Sequence, residues 1–144
     1  DACSGPEPAD VVIVSDAPYY MVESDEVIAM VRSLSADKPL IGFSNGAAIA
    51  AKARGGTAKR VPFGDHGVNV PVRYLGGGRN EITVQNHNFE VVTGGDTEGL
   101  FENLHDGRSE GFKIAGARAA GANFVPGAAW FKVLLESVGV KQDA

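Results

Sequence analysis

The feature that most constrains this chain is a G-x-S-x-G pentapeptide at residues 42–46, centred on Ser44. The apolar run that ends in this pentapeptide, residues 40–43, predicts a short buried strand. The alanine-rich run that follows, residues 47–53, predicts a helix. A strand that turns sharply into a helix, with glycine on both sides of the turn, lifts the side chain of the central residue away from the sheet. The context therefore predicts a nucleophile elbow with Ser44 at its tip.

The flanking segments alternate in the same way. Residues 11–14 are apolar and β-branched, which predicts a second buried strand. Ser24 is a good N-cap for a helix over about residues 25–35, which carries an apolar stripe. A last helix is predicted over about 128–138, with Trp130 and its neighbours packing onto the sheet. Strands and helices in alternation predict an α/β fold of stacked layers.

The middle of the chain has a different pattern, of short strands between glycine and asparagine turns. We expect the four strands at 59–63, 68–74, 81–84 and 89–92 to form a small antiparallel layer. Further strands are predicted at 100–104 and 111–114, with a last one at 123–125, and the Ala/Gly stretch at 115–122 is predicted to be a loop.

Composition limits the partners and the compartment. The 144 residues carry a net charge of -5 with no basic cluster, which argues against nucleic acid. No apolar run is long enough for a membrane span. Cys3 is the single cysteine, so an internal disulfide is impossible, and a reducing compartment is favoured. We expect an intracellular protein, in the cytoplasm or in an organelle interior such as the mitochondrial matrix, with a flexible lead-in at 1–8 and one domain at 9–140.

Five segments, in order and near the right spacing, resemble the class I glutamine amidotransferase domain of carbamoyl-phosphate synthetase small subunits. The elbow KPLIGFSNGAA stands where that family has roughly K-P-V-F-G-I-C-L-G-H-Q. The segment ITVQNHNFEV stands where the family has I-T-S-Q-N-H-G-Y-A-V. The other three segments are FGDHGVNVPV, DGRSEG and FVPGA. The resemblance implies a three-layer, flavodoxin-like α/β sandwich, with the family's opening strand and helix lacking a counterpart between Asp1 and Ala9.

The resemblance also implies which residues would carry chemistry, and here the chain departs from the family. The family's cysteine nucleophile attacks the glutamine amide, a histidine moves the proton, and a glutamate orients the histidine. Those three positions are Ser44, Val125 and Gly127 in this chain. The elbow glutamine falls on Ala48, and the S-N-G-P-G oxyanion loop has become residues 15–19. Valine neither accepts nor donates a proton, so the resemblance predicts a catalytically inactive domain.

Some positions of the family's substrate site remain as binding remnants: Gly46 on the elbow, and Gln85, Asn86 and His87. A turn whose polar side chains satisfy buried backbone groups is the alternative interpretation of the last three. No cofactor is predicted. His66 beside Asp65 lacks a third ligand nearby, so no metal site is predicted either.

Three functions compete on this sequence. The first is a pseudoenzyme that acts as a structural or interaction subunit of a larger complex. The second is a degenerate small subunit that supports an ammonia-dependent carbamoyl-phosphate synthetase. The third is a serine hydrolase built on the elbow. Its base would be one of three histidines and its orienting residue one of three aspartates: His66, His87, His105, Asp65, Asp96 and Asp106.

Protein partners are expected because a sheet without the family's opening strand leaves an unpaired edge or an apolar gap, which proteins rarely expose to water. The partners would be other subunits of a hetero-oligomeric complex. Tyr19 and Tyr20 are either exposed anchors for such a partner or part of the core.

Neither the wild-type protein nor the Ser44→Cys variant should hydrolyse glutamine. A thiol on the elbow still lacks a base at Val125 and an orienting carboxylate at Gly127. The measurement is ammonia release from glutamine, with Ser44→Ala as the matched control. A rate for Ser44→Cys about tenfold or more above that of Ser44→Ala would contradict the prediction, and would mean that another residue supplies the base.

Overall fold

A computed structural model describes residues 11–140 and shows a mixed seven-stranded sheet, a separate two-stranded sheet and four α-helices. The main sheet has the order β1-β2-β9-β8-β7-β4-β5, and β3 pairs with β6. The strands are β1 Val12–Val14, β2 Leu40–Phe43, β3 Ala58–Asp65, β4 Val70–Tyr74, β5 Glu81–Thr83, β6 His87–Val91, β7 Glu98–Asn103, β8 Ser109–Ile114 and β9 Ala119–Ala122. The helices are α1 Tyr19–Val22, α2 Asp25–Leu34, α3 Asn45–Ala53 and α4 Ala128–Ser137.

The prediction of a loop over 115–122 is wrong at residues 119–122, which form β9 between β2 and β8. Alanine and glycine have weak strand propensity, but tertiary packing overrides that preference here. A Cβ at Gly121 would lie 2.7 Å from the Gly42 carbonyl oxygen and 2.8 Å from the Phe112 ring. The centre of the sheet is crowded by backbone and aromatic atoms, so only very small residues fit this strand.

The antiparallel strands also differ from expectation. Most of them extend the main sheet, because β8 pairs antiparallel with β9 and is followed outward by β7, β4 and β5. Only β3 and β6 form a separate antiparallel sheet within the described residues. The predicted final strand at 123–125 does not form, and Phe124 makes a single bridge to Gln85.

Each face of the sheet has its own core. On one face, α2 and α3 pack with β3 and β6 around buried side chains such as Ile49, Phe89 and Phe112. On the other face, α4 inserts Trp130 among aromatic rings, with its ring centroid 4.8 Å from that of Phe101 and 5.7 Å from that of Phe124. Helices on both faces of one sheet make the three layers that the sequence predicts.

The helix boundaries follow local chemistry. The Ser24 hydroxyl accepts a hydrogen bond from the Val27 amide at 3.3 Å, as an N-cap should, and α2 begins at the next residue, Asp25.

The sequence does not predict the short helix α1. It carries Tyr19 and Tyr20, which are 50% and 59% exposed, so these tyrosines lie outside the core. No helix among residues 11–140 is both long and apolar enough to cross a membrane.

The edge strand β1 pairs only with β2 in the part of the chain that the structure describes. Beside it, an apolar groove of about 320 Å³ lies between β1 and α2. Ile13, Met30 and Leu34 line the groove and are 45–54% exposed. Within residues 11–140, β1 is therefore an edge strand with apolar side chains beside it.

Replacing Gly121 with alanine should destabilise the protein by about 1–3 kcal/mol or more, because the added methyl group meets backbone and a ring that cannot both move away. The measurement is the midpoint of urea unfolding. Gly116→Ala is the matched control, since a Cβ at Gly116 meets nothing within 4 Å, and it should change stability by no more than about 0.5 kcal/mol. Equal stability of the two variants would show that the centre of the sheet is looser than described.

Candidate functional site

Ser44 occupies the tip of a true elbow between β2 and α3. Its backbone lies at φ 54 and ψ -129, a strained conformation for a residue with a side chain. The Ser44 amide donates a hydrogen bond to the Ala122 carbonyl oxygen at 2.9 Å, which fixes the turn against the end of β9. Backbone atoms lie so close to Gly42 and Gly46 that neither position has room for a side chain. A Cβ at Gly42 would collide with the Gly46 carbonyl group, and a Cβ at Gly46 would collide with the carbonyl groups of residues 14 and 15. The predicted nucleophile-elbow geometry is present in full.

Asn45, the first residue of α3, ties the elbow to the segments around it. Its side-chain nitrogen donates to the Ala17 carbonyl oxygen at 2.9 Å, and its side-chain oxygen accepts from the Asn88 amide at 2.9 Å. The residue is 5% exposed. One buried amide therefore holds both the loop that follows β1 and the beginning of β6 against the elbow.

The elbow opens into a pocket of about 400 Å³ that Ser44, Val125 and Gly127 all line. Val125 is 71% exposed at its rim, and a Cβ at Gly127 would lie 3.8 Å from a carboxylate oxygen of Glu81. The pocket is lined by Asp16, Ser44, Glu81, Ile82, Thr83, Val84, Asn86, Phe124, Val125 and Gly127. Ser44, Val125 and Gly127 therefore line one pocket, although they are up to 83 residues apart in the chain.

Sequence reasoning missed Glu81 and Asp16 as pocket residues. The motifs assign Asp16 only to an altered oxyanion loop, and Glu81 only to the first residue of a strand. All three residues of β5, including Glu81, line the pocket, and their position depends on the pairing of β5 with β4, so no local sequence signal identifies Glu81. Among the described residues, the pocket lining holds two carboxylates, two hydroxyl groups and an amide, but no histidine, lysine or cysteine.

The proposed serine-hydrolase triad is not assembled, since no histidine of residues 11–140 lines the Ser44 pocket. His66 is exposed, and its Nδ1 lies 2.7 Å from the side-chain oxygen of Asn86. His105 is exposed on the turn after β7. His87 is 2% exposed and faces away into a polar cluster between the strands.

That cluster is a buried hydrogen-bond network centred on Glu110, which is 1% exposed. The Glu110 carboxylate accepts from the Asn103 side-chain nitrogen at 2.9 Å and from that of Asn123 at 3.2 Å. His87 Nε2 lies 3.5 Å from the same carboxylate. The network joins β6, β7, β8 and the segment after β9, so it holds together strands that are distant in sequence.

Gln85 completes the network. With the amide oriented so that its nitrogen faces Glu110, Gln85 donates to Glu110 at 3.2 Å and to His87 Nε2 at 2.9 Å. The opposite orientation would point the Gln85 oxygen at other acceptors, so the first is preferred. His87 Nε2 then accepts, and its Nδ1–H donates to the Phe89 carbonyl oxygen at 2.9 Å. Both ring nitrogens of His87 therefore have hydrogen-bond partners within the network.

The network also brings the side chain of Asp65 near His87 and Glu110, with one ligand-type atom of each within 4.8 Å of the others. The sequence did not predict this grouping, because it paired Asp65 with His66. The histidine and glutamate atoms are already hydrogen-bonded by Gln85, Asn103 and Asn123. His87 and Glu110 therefore already have protein partners for these atoms.

The four residues predicted as binding remnants, Gly46, Gln85, Asn86 and His87, lie in different surroundings. Asn86 lines the pocket beside Ser44. Gln85 and His87 are buried behind the pocket wall, in the network around Glu110. Gly46 lies under the loop that follows β1, where its lack of a side chain allows that loop to approach. The structural interpretation of Gln85 and His87 fits this geometry, while Asn86 alone keeps access to a bound molecule.

Comparison with known proteins agrees with this geometry. The family model for class-I glutamine amidotransferases matches residues 4–125. The chain belongs to the class-I glutamine amidotransferase family. Among its relatives, the carbamoyl phosphate synthase small chain of Symbiobacterium thermophilum is 37% identical over 105 residues, which are 69% of this chain and 29% of that one. The small chain of Aquifex aeolicus is 36% identical over 111 residues, 72% of this chain and 29% of the relative. This family member therefore spans under a third of the length of those relatives.

Solved structures show the same fold. A GMP synthase-type protein of Thermoplasma acidophilum superposes with a TM-score of 0.69 at 16% identity, covering 92% of this chain and 72% of its own. A glutamine amidotransferase of Thermotoga maritima superposes with a TM-score of 0.62 at 17% identity, covering 89% and 61%. The flavodoxin-like, class I amidotransferase fold predicted from the motifs is confirmed.

The buried network should contribute more stability than any surface ion pair of this amidotransferase-family chain. Asn103→Ala removes a donor from the buried Glu110 carboxylate and should cost about 2–3 kcal/mol in the free energy of unfolding. Arg73→Ala, the control, breaks the exposed Arg73–Glu102 pair next to it and should cost under about 1 kcal/mol. Urea unfolding of both variants measures the difference. Equal losses would mean that the Glu110 carboxylate reaches water.

Proposed function

We propose that this chain is a catalytically inactive member of its family that acts as a structural or interaction subunit of a larger protein complex. The observation that carries the proposal is the pocket at Ser44. The elbow keeps its strained geometry, while the positions of the family's base and orienting residue carry an exposed valine and a glycine. On this proposal, the chain keeps the backbone geometry of the elbow but lacks the side chains that would transfer a proton.

The remaining groups in the pocket do not replace the lost chemistry. A serine hydroxyl needs an adjacent base to become a useful nucleophile. Within residues 11–140, the titratable side chains that line the pocket are those of Asp16 and Glu81. Carboxylates are poor bases for a hydroxyl group, because a carboxylic acid is a far stronger acid than an alcohol. The same argument counts against the serine hydrolase, so inactivity is the assignment that this geometry supports best.

The names of the relatives favour a specific kind of complex. Several are carbamoyl phosphate synthase small chains, a name that implies at least one further chain. We therefore keep, as a second candidate, a degenerate small subunit that supports an ammonia-dependent synthetase. Such a subunit would not need to hydrolyse glutamine, because ammonia would come from solution. The assembly would lie inside the cell, in the cytoplasm or an organelle interior.

The groove beside β1 is the surface that would bind the partner chain. It combines a strand that pairs on only one side among residues 11–140 with exposed Ile13, Met30 and Leu34. A strand added to β1 would pair with the backbone groups of its other side, and apolar side chains would fill the groove. Apolar surface buried there would contribute roughly 25 cal/mol per Å² before the entropy of association is subtracted.

Association is tested by capture of the tagged full chain from its native source, with identification of every protein recovered. We expect a large synthetase chain or another defined subunit to be recovered. Leu34→Glu should reduce its recovery about tenfold or more, because a buried unpaired carboxylate costs well over about 1.4 kcal/mol. The matched control is Ser33→Glu, which adds the same charge at an exposed position of α2 that does not line the groove.

Sedimentation of the purified chain completes the test. We expect self-association of the wild-type protein at high concentration, reduced by Leu34→Glu and unchanged by Ser33→Glu. A single stable monomer that captures no partner would contradict the proposed subunit role. Equal recovery with both variants would place the interface elsewhere on the molecule.

A further inference from the structure

A second cavity lies at the end of the sheet opposite Ser44, at the amino ends of β2 and β9. Its volume is about 590 Å³, against about 400 Å³ for the Ser44 pocket. Four cations from four separate segments line it, and we call it the basic pocket: Arg32, Lys38, Arg54 and Arg118. Nothing in the family's elbow chemistry involves this end of the fold.

The topology explains why the four cations meet. Lys38 and Arg118 precede the adjacent parallel strands β2 and β9, so they lie side by side at one edge of the sheet. Arg32 is in the last turn of α2, and Arg54 follows the last residue of α3. Both helices run back from the elbow side of the sheet, and their carbonyl ends therefore meet at the same place.

Two of the cations donate hydrogen bonds to backbone carbonyl oxygens at or near these helix ends. Arg32 donates its Nε–H to the Ala53 carbonyl oxygen at 3.1 Å. Arg54 donates to the carbonyl oxygens of Ser35 at 2.5 Å and Lys38 at 2.6 Å, and also to that of Ala117. Cations at helix carbonyl ends are ordinary stabilising features. Lys38 and Arg118 make no side-chain hydrogen bond or ion pair with the residues that the structure describes.

The charge of the basic pocket is not balanced within residues 11–140. None of the six ion pairs found there includes any of its four cations. Asp37 is the single carboxylate among the described residues of the lining. The carbonyl ends of α2 and α3 together supply roughly one further negative charge, so that about two positive charges remain. This concentration occurs in a chain whose net charge is -5.

The cations also repel one another. Burial lowers the pKa of Arg54 from its ordinary value, and the nearby charge of Arg118 lowers it further. Arg118 has a φ of 50, a left-handed conformation that residues with a side chain rarely adopt. An anion in the pocket would relieve this repulsion and would give Lys38 and Arg118 the partner that the described chain does not supply.

We propose that the basic pocket binds a small phosphate-bearing molecule with at least two negative charges. Two positive charges match a phosphate dianion, and arginine presents its N–H groups in a fork that fits phosphate oxygens. The pocket is independent of the proposed subunit function, since it lies at the far end of the sheet from Ser44 and shares no lining residue with the groove beside β1.

The test is isothermal titration calorimetry of the full chain at low salt and at about 0.15 M salt, with pyrophosphate, inorganic phosphate and succinate as separate probes. Pyrophosphate should bind at one site per chain and more tightly than succinate, which carries two charges without phosphate oxygens. Succinate binding as tightly as pyrophosphate would overturn the phosphate assignment.

Two variants locate the site. Arg118→Asn removes the charge and keeps a residue that tolerates the left-handed backbone. Lys38→Gln removes the other cation that has no side-chain partner among residues 11–140. Each should weaken pyrophosphate binding about tenfold, which corresponds to about 1.4 kcal/mol. Arg79→Gln, in the exposed turn between β4 and β5, changes the net charge equally and should weaken binding less than about twofold.

Unfolding midpoints in urea confirm that each variant is folded before its titration is compared. The proposal is overturned by an absence of binding to the wild-type chain. It is equally overturned if Arg79→Gln weakens binding as much as Arg118→Asn, since the attraction would then belong to the overall charge of the chain.

Discussion

The close approach of three backbone segments at Gly42, Gly46 and Gly121 is the constraint on which the rest of this structure depends. The glycine of β2 faces the carbonyl of the elbow, the glycine of α3 faces the loop after β1, and the glycine of β9 faces β2 and an aromatic ring. A side chain at any of them would separate elements that share hydrogen bonds. The strained backbone of Ser44 persists because these contacts leave it no room to relax.

Around this centre, buried polar side chains hold neighbouring segments together by hydrogen bonds. Asn45 binds two loops to the elbow, and Glu110 gathers amides from three segments in the interior. A buried carboxylate is costly unless its oxygens are satisfied, and here each oxygen has an amide donor. His87 is buried in this network, and both of its ring nitrogens are hydrogen-bonded. It is one of the three histidines that the sequence offered as a base for Ser44.

The two ends of the sheet have opposite characters. The elbow end has a pocket whose described lining holds carboxylates, hydroxyl groups and an amide but no histidine. The other end gathers four cations with one carboxylate among the described residues. Both follow from the parallel strands β2 and β9, because residues that follow such strands meet at one edge and residues that precede them meet at the other.

The sequence by itself determined the elbow, its strand and helix, the N-cap at Ser24 and, through five motifs, the family. These are local signals or fixed residue identities, and they do not depend on how distant segments meet. Only the tertiary structure decided that residues 119–122 are a central strand and that Glu81 reaches the Ser44 pocket. It also decided that His87 is buried against Glu110 and that four cations meet at the amino ends of β2 and β9. Each depends on strand pairing between residues far apart in the chain, where packing overrides local propensity.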